Sequence, residues 1–440
     1  MDLVIRSADA VQVVHGSNSK CTKRGLGTFE IFDWDGGFSL ETIMDSDIHR
    51  ERRRIWDRAQ NPQAMAHYEI CTRKAVRTWL AKVASVEGEA IEMSKAMLLV
   101  AFDNMGQIGF SKEFGATQKG EGTRWIHLMG ALLEQIAILG GLTWPTLVAR
   151  SLEGLGKFGP LKDALEFNDI SKDFAHERLD VSTSSLSLRL AENVTNRTQR
   201  DDPALHDIMK YFIDDYKSEN PKSFVRDTDL YTDTQTILIA ATDTSAATLT
   251  WLFYYLTIHP EIKSQLVSEI STARSQTAES GEFLDADLAH LPYLNAVINE
   301  TLRIKPVGGN NSPRLTPPEG IVVDGTWIPG QVQVVIPIWA LCRYEKYFER
   351  PLDFVPERWT TKPEMVKDKR AFIPFNHGRW SCAGKKLAMM LMRLVVAYTV
   401  TDFDFGFAEA EDGAAIVRDT KDVTLVKPGE LRLRFTRRSA

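Results

Sequence analysis

The chain has 440 residues, 53 Lys plus Arg against 59 Asp plus Glu, and a net charge of −6. With 43% hydrophobic and 25% charged residues it is ordinarily globular, which excludes disorder as its main state. The acidic balance excludes the basic surface of a general nucleic-acid binder, and Cys21, Cys71, Cys342 and Cys382 lie too far apart for a disulfide framework or zinc ribbon.

The opening residues, MDLVIRSADAVQVVHG, lack both a basic start and an apolar core, so they are no signal peptide. They predict a short strand followed by an amphipathic helix. Residues 45–82, rich in Arg and Ala, predict helix, as do Met93–Gly109, Asp201–Lys217, Leu230–Leu256, Glu261–Ala273, Tyr293–Ile304 and Lys385–Val400. Pro260 is expected to stop the helix before it. Leu133–Ala149 carries Glu134, Gln135, two glycines and Pro145, and reads as a buried helix and loop. No apolar run approaches the roughly 20 residues that a bilayer needs. Strand-like pieces are few and late: Gly320–Val323, Thr326–Ile328, Val332–Ile336 and Leu431–Phe435. The pattern predicts a mainly α fold with a small β part, residues 1–440 forming one domain without repeats or linkers.

The strongest chemical signal is FIPFNHGRWSCAGKKLAMMLMRL, Phe372–Leu394. Its spacing, Phe375-x-x-Gly378-x-x-x-Cys382-x-Gly384, runs straight into a helix. Glycines flanking a cysteine let the backbone approach a flat partner and adopt positive φ. A cysteine at a helix start sits near the positive dipole end, and Arg379, Lys385 and Lys386 add positive potential; all favour thiolate. Such a thiolate can ligate haem iron and push electron density toward O–O cleavage. A lone cysteine is usually a buried structural residue. The full pattern reverses that expectation.

This loop resembles the haem-binding signature of the cytochrome P450 monooxygenases, and three further marks fit. Glu300-Thr301-Leu302-Arg303 matches the E-x-x-R motif, and Pro356-Glu357-Arg358-Trp359 matches the later P-E-R-[FW] turn. In the family, Glu300, Arg303 and Arg358 would form a buried ion-paired triad. In Leu238–Trp251 (LIAATDTSAATLTW), Asp243 and Thr244 match the acid–alcohol pair that relays protons beside the haem. The plainer reading is a kinked helix whose hydroxyls bond back to carbonyls. His49 and Arg53 match an early propionate-binding pair, although a solvated basic face would look alike. Arg314 matches a later propionate arginine. The usual Arg or His two places before the cysteine is Trp380, so Arg379 or the Trp380 indole is expected to reach a propionate. Phe375 fits the aromatic that packs on the thiolate loop.

The likeness spans the start to about Phe407. It points to fungal monooxygenases of secondary metabolism such as the tryprostatin hydroxylase group, on the phrases HRERRRIWDRA, RLTPPEGIVVDGTWIPG and PERWTTKPEMVKD. The resemblance implies a P450 fold lacking the N-terminal anchor and first helix and strand. It also implies haem held by Cys382, O2 as oxidant, and a small apolar substrate of terpenoid, indole alkaloid or polyketide type. NADPH–cytochrome P450 reductase is the expected partner, with no nucleic acid, a monomeric chain, and a place on the cytoplasmic face of the endoplasmic reticulum. The basic cluster Arg50–Arg54 with Lys385 and Lys386 is a candidate reductase face. Asn310, Asn311 and Ser312 would make the substrate wall polar. Two alternatives stand beside this: a haem-thiolate isomerase without O2 activation, and a non-functional truncated remnant. Sequons at Asn193, Asn196, Asn299 and Asn310 are chance matches, and Gly154–Gly159 follows no strand that could cradle a phosphate.

Overall fold

The computed structural model describes residues 2–23, 37–139, 160–183, 207–276, 282–308, 313–423 and 425–438. The chain gathers into two compact units, one holding Met1–Arg24, Thr72–Ala101 and Asp243–Ala440, the other Gly25–Cys71 and Phe102–Thr242.

In the second unit, the Asp45 carboxylate accepts the amides of Asp47 and Ile48 and starts a helix over Ser46–Arg58. The predicted run over 45–82 is two helices, Ser46–Arg58 and Pro62–Ser85. The break falls where Pro62 lacks an N–H and Asn61 Oδ1 caps the amide of Ala64 at 3.0 Å. Arg124–Leu139 is helical as expected, whereas residues 140–159, with Gly154–Gly159, lie outside the described residues. Asp207 caps the helix Ile208–Tyr216 and is also clamped by Arg178 at 2.7 Å. Aromatic stacking fills this core: Phe102 lies 4.3 Å from Phe114, and Phe212 lies 4.5 Å from Phe224.

The first unit carries the β structure. Its four-stranded sheet runs Asp2–Val4, Gln333–Val335, Arg314–Leu315 and Thr22–Lys23, the first pair parallel and the others antiparallel. Val334 is the hinge of the register, facing Leu3 on one side and Arg314 on the other. Val11, Val14, Val334, Ile336, Cys342 and Phe348 close a core beneath this sheet. A second sheet orders Ala90–Glu92, Arg432–Arg437 and Phe403–Phe407 antiparallel. Residues 8–15 are one helical turn, Ala8–Ala10, passing into a π turn over Val11–His15.

The central helix, Asp227–Ile258, is the longest among the described helices at 32 residues, and it crosses from one unit to the other between Thr242 and Asp243. By length and composition it could span a membrane, but it is mostly buried and carries Asp229, Asp233 and Asp243. That is a core helix. Pro260 does more than end its neighbour: it opens the next helix, Pro260–Gln276, where a missing N–H costs nothing. The chain is mainly helical with a small β part, as predicted.

Candidate active site

The Cys382 loop is shaped by its turns. Asn376 and Gly378 both hold positive φ, 59° and 70°, and the Cys382 amide donates to the Phe375 carbonyl at 2.8 Å. A single 3-10 turn, Gly378–Trp380, leads to Gly384, which starts the helix Lys385–Asp402. Cys382 is exposed two residues before that helix start, near its unsatisfied amides. A side chain placed on Gly384 would meet only Cys382 Sγ, at 3.9 Å. The sulfur therefore lies beside a bare backbone face. Gly378 has the opposite surrounding: a Cβ there would lie 1.9 Å from the His15 carbonyl oxygen, so only glycine fits.

Behind the loop stands a fully buried ionic cluster. Glu300, Arg303 and Arg358 are 0%, 0% and 1% exposed. Glu300 Oε1 accepts from Arg303 Nη2 (2.8 Å), Arg358 Nε (2.9 Å) and the Val355 amide (2.9 Å). Its Oε2 accepts from Arg303 Nε and the Trp359 indole, both at 2.9 Å. The spare guanidinium protons go to the carbonyls of Cys342, Pro351 and Asp353 from Arg303, and of Glu349 and Arg350 from Arg358. The two motifs thus meet around one carboxylate, and Trp359 joins them, a member the sequence reading had inside its motif without a role.

Asp243 and Thr244 follow one another on the central helix, half-buried. Burial pushes the Asp243 carboxyl up to about 6, opposed by the charge of Lys427 on the strand Leu425–Lys427. Lys427 was not singled out in the sequence, since no motif contains it. Thr248 and Thr250 satisfy their hydroxyls on the carbonyls of Thr244 and Ala246, at 2.9 and 2.8 Å. Thr242 Oγ1 is buried with no partner among the described residues.

Arg314 is 1% exposed, sits on the strand Arg314–Leu315 and holds its guanidinium 5.7 Å from the Trp380 ring centroid. Arg379 is exposed and donates to the carbonyls of Ser17 (3.0 Å) and Ser19 (2.9 Å). Phe375 is half-buried, with Lys385 Nζ 5.7 Å from its ring. In the other unit, His49 is buried on Ser46–Arg58 and Arg53 pairs with Asp57 at 2.9 Å. The deepest cation of that run is Arg52, which pairs with Asp233 and with Asp229 (3.3 Å) and donates to Ser223 Oγ (2.7 Å). Arg52 is therefore withdrawn from the basic surface cluster expected at Arg50–Arg54. Asn310, Asn311 and Ser312 lie outside the described residues.

Haem fits these residues. A planar ring carries its own in-plane nitrogen ligands and needs one protein sulfur, a bare backbone face and buried cations for its carboxylates. Cys382, Gly384 and Arg314 supply the three. Among the described residues no group of three or more His, Cys, Asp or Glu side chains converges, so a protein-caged ion has no site there.

The family model described as Cytochrome P450 matches residues 3–434. The chain belongs to the cytochrome P450 family. Cytochrome P450 monooxygenase sthD of Phaeosphaeria nodorum is 32% identical over 99% of this chain and 85% of its own length. Tryprostatin B 6-hydroxylase of Aspergillus fumigatus is 31% identical over 92% of this chain and 67% of its own. The crystal structure of the cytochrome P450DA heme domain shares the fold at a TM-score of 0.77 and 17% identity, covering 100% of this chain and 88% of that one. This P450 is accordingly a haem-thiolate monooxygenase of the kind found in fungal secondary metabolism. As in the family generally, it works with O2, an organic substrate and a redox partner.

Proposed function

We propose that this P450 inserts one oxygen atom into an apolar secondary metabolite, with Cys382 as the proximal ligand and Asp243 and Thr244 as the proton relay. The exposed Cys382 sulfur beside the bare Gly384 face carries the reading. Bound haem supplies O2 binding and O–O cleavage under the push of the thiolate. Around it each residue has its own task. The Gly378 turn and the helix start hold Cys382 as thiolate. The Glu300–Arg303–Arg358 cluster fixes the segment that precedes the loop. Asp243, with a carboxyl near neutrality, can hold or release a proton at its Oδ atoms in the working pH range, and Thr244 Oγ passes it on. Arg314 takes a haem carboxylate, and His49 and Arg53 are a second, separate pair for that task.

The substrate reading stays within terpenoid, indole alkaloid or polyketide chemistry, with Asn310, Asn311 and Ser312 supplying hydrogen bonds to it. NADPH–cytochrome P450 reductase supplies the electrons, and the enzyme works on the cytoplasmic face of the endoplasmic reticulum as one 440-residue haem domain. The deciding experiment is the reduced carbon-monoxide difference spectrum of the purified protein, followed by turnover with reductase. The red-shifted thiolate band should appear in the parent and vanish in Cys382→Ala. Asp243→Asn with Thr244→Ala should keep the band yet divert NADPH consumption from product. No band in the parent, or undiminished product from the double variant, refutes the assignment.

A further inference from the structure

His15 belongs to none of the motifs, yet it lies against the Cys382 loop. It ends the π turn Val11–His15 and is 2% exposed. Its carbonyl is the atom that a side chain on Gly378 would strike. Its neighbour along the turn, Gln12, accepts or donates a 2.7 Å hydrogen bond at His377 Nε2, and Arg379 grips the carbonyls of Ser17 and Ser19 just beyond. These contacts fix residues 12–19 to the loop from Gly378 to Arg379.

The imidazole itself is unusual. His15 Nδ1 is buried with no hydrogen-bond partner among the described residues. An orphaned buried ring nitrogen costs on the order of one to three hydrogen-bond equivalents of stability unless something meets it. Burial, the Arg314 cation and His377 push its pKa down to about 3, so the ring is neutral and one nitrogen carries a proton. Arg314 is close enough to act on it and is itself buried, a guanidinium facing the Trp380 ring. Buried cations want an anion. A neutral donor and a buried guanidinium aimed at one place are a carboxylate site, and haem carries two carboxylate arms.

We propose that His15 is a haem-anchoring residue, its neutral imidazole donating Nδ1–H to a haem carboxylate beside Arg314. This rests on the haem-thiolate reading above. His15 then does the work that an Arg or His at position 380 would do, since the Trp380 ring carries no charge. Because the imidazole is neutral, the site takes a carboxylate without adding a second buried cation next to Arg314.

The test uses the holoenzyme and compares the parent with His15→Phe, His15→Leu and His15→Asn. Two readouts are taken: the rate of haem transfer to excess apomyoglobin, and the carboxylate-bending bands in the resonance Raman spectrum. The apolar variants should lose haem about tenfold faster, the value of one hydrogen bond to a charged group, with the thiolate band intact. Their bending band should shift. His15→Asn, which keeps a donor, should lie nearer the parent. Unchanged transfer in both apolar variants overturns the proposal. So does an equal loss in all three variants with the Raman band unmoved, which would mean that His15 only packs. A parent that binds no haem would instead refute the underlying haem assignment, so the two failures are distinct.

Discussion

Replacing Glu300 by Gln removes one charge and changes no atom count, and the hydrogen-bond geometry dictates how it fails. Gln keeps one acceptor oxygen, which can face Arg303 Nη2, Arg358 Nε and the Val355 amide as Oε1 does now. Its NH2 must then take the Oε2 place, where Arg303 Nε and the Trp359 indole already donate. Two acceptor contacts become donor–donor contacts. Each buried donor left unsatisfied costs about 1–3 kcal/mol. Two guanidiniums that are 0% and 1% exposed also lose their only counter-charge within the cluster, and breaking such a pair costs about 3–5 kcal/mol. Even the low ends together reach about 5 kcal/mol, the lower bound of a typical domain's whole stability. Glu300→Gln should therefore fail to accumulate as folded holoenzyme. Glu300→Asp, which keeps the charge but shortens the reach, should fold with a lowered midpoint. Urea titration read by far-UV circular dichroism and by the thiolate band gives the apparent midpoints. A Glu300→Gln enzyme with a parental midpoint and band would refute the reasoning.

Gly378→Ala should be worse than an ordinary loop substitution, because φ is 70° and the new Cβ would meet the His15 carbonyl; the expected result is a lost or blue-shifted thiolate band in protein of normal helix content. For Asp243 the native pKa, about 6, lies above the ordinary 3.8, so the folded state binds more protons between those values and stability falls as pH rises through that window. Asp243→Asn should abolish that fall and be more stable than the parent at pH 8 by on the order of 2 kcal/mol, checked by urea midpoints from pH 4 to 8. Arg52→Met would strand Asp229 and Asp233 in the interior of the second unit and should cost about 3–5 kcal/mol, seen as early loss of helicity in a urea titration.

Some of this was legible in the sequence because the chemistry is local. Glu300 and Arg303 are one helical turn apart, so the motif alone places both side chains on one face. Gly384 and Cys382 are likewise neighbours, and a glycine beside a cysteine at a helix start says what it does. The Arg358 partner was readable only through resemblance, since nothing in PERW indicates a carboxylate 58 positions upstream. The basic run HRERRR shows where local reading ends. Its periodicity does not say whether Arg52 or Arg53 turns inward. Asp229 and Asp233 decide it, and they lie on the central helix, far along the chain. The same reason hid the strand Ala90–Glu92, whose three residues have no strand signal beyond their pairing with Arg432, Leu433 and Arg434.

His15 is the sharpest case. In sequence it ends a short helix with a residue of middling helix propensity, and nothing flags it. Its significance comes from two facts joined only in space: glycine at 378, which lets the His15 carbonyl approach the loop, and arginine at 314, whose charge forces the ring to stay neutral. Were the histidine there merely to pack, a tyrosine or leucine would fill the place without leaving a ring nitrogen unmet. A buried Nδ1 kept beside a buried guanidinium is costly on its own, and it makes sense only with a carboxylate between them.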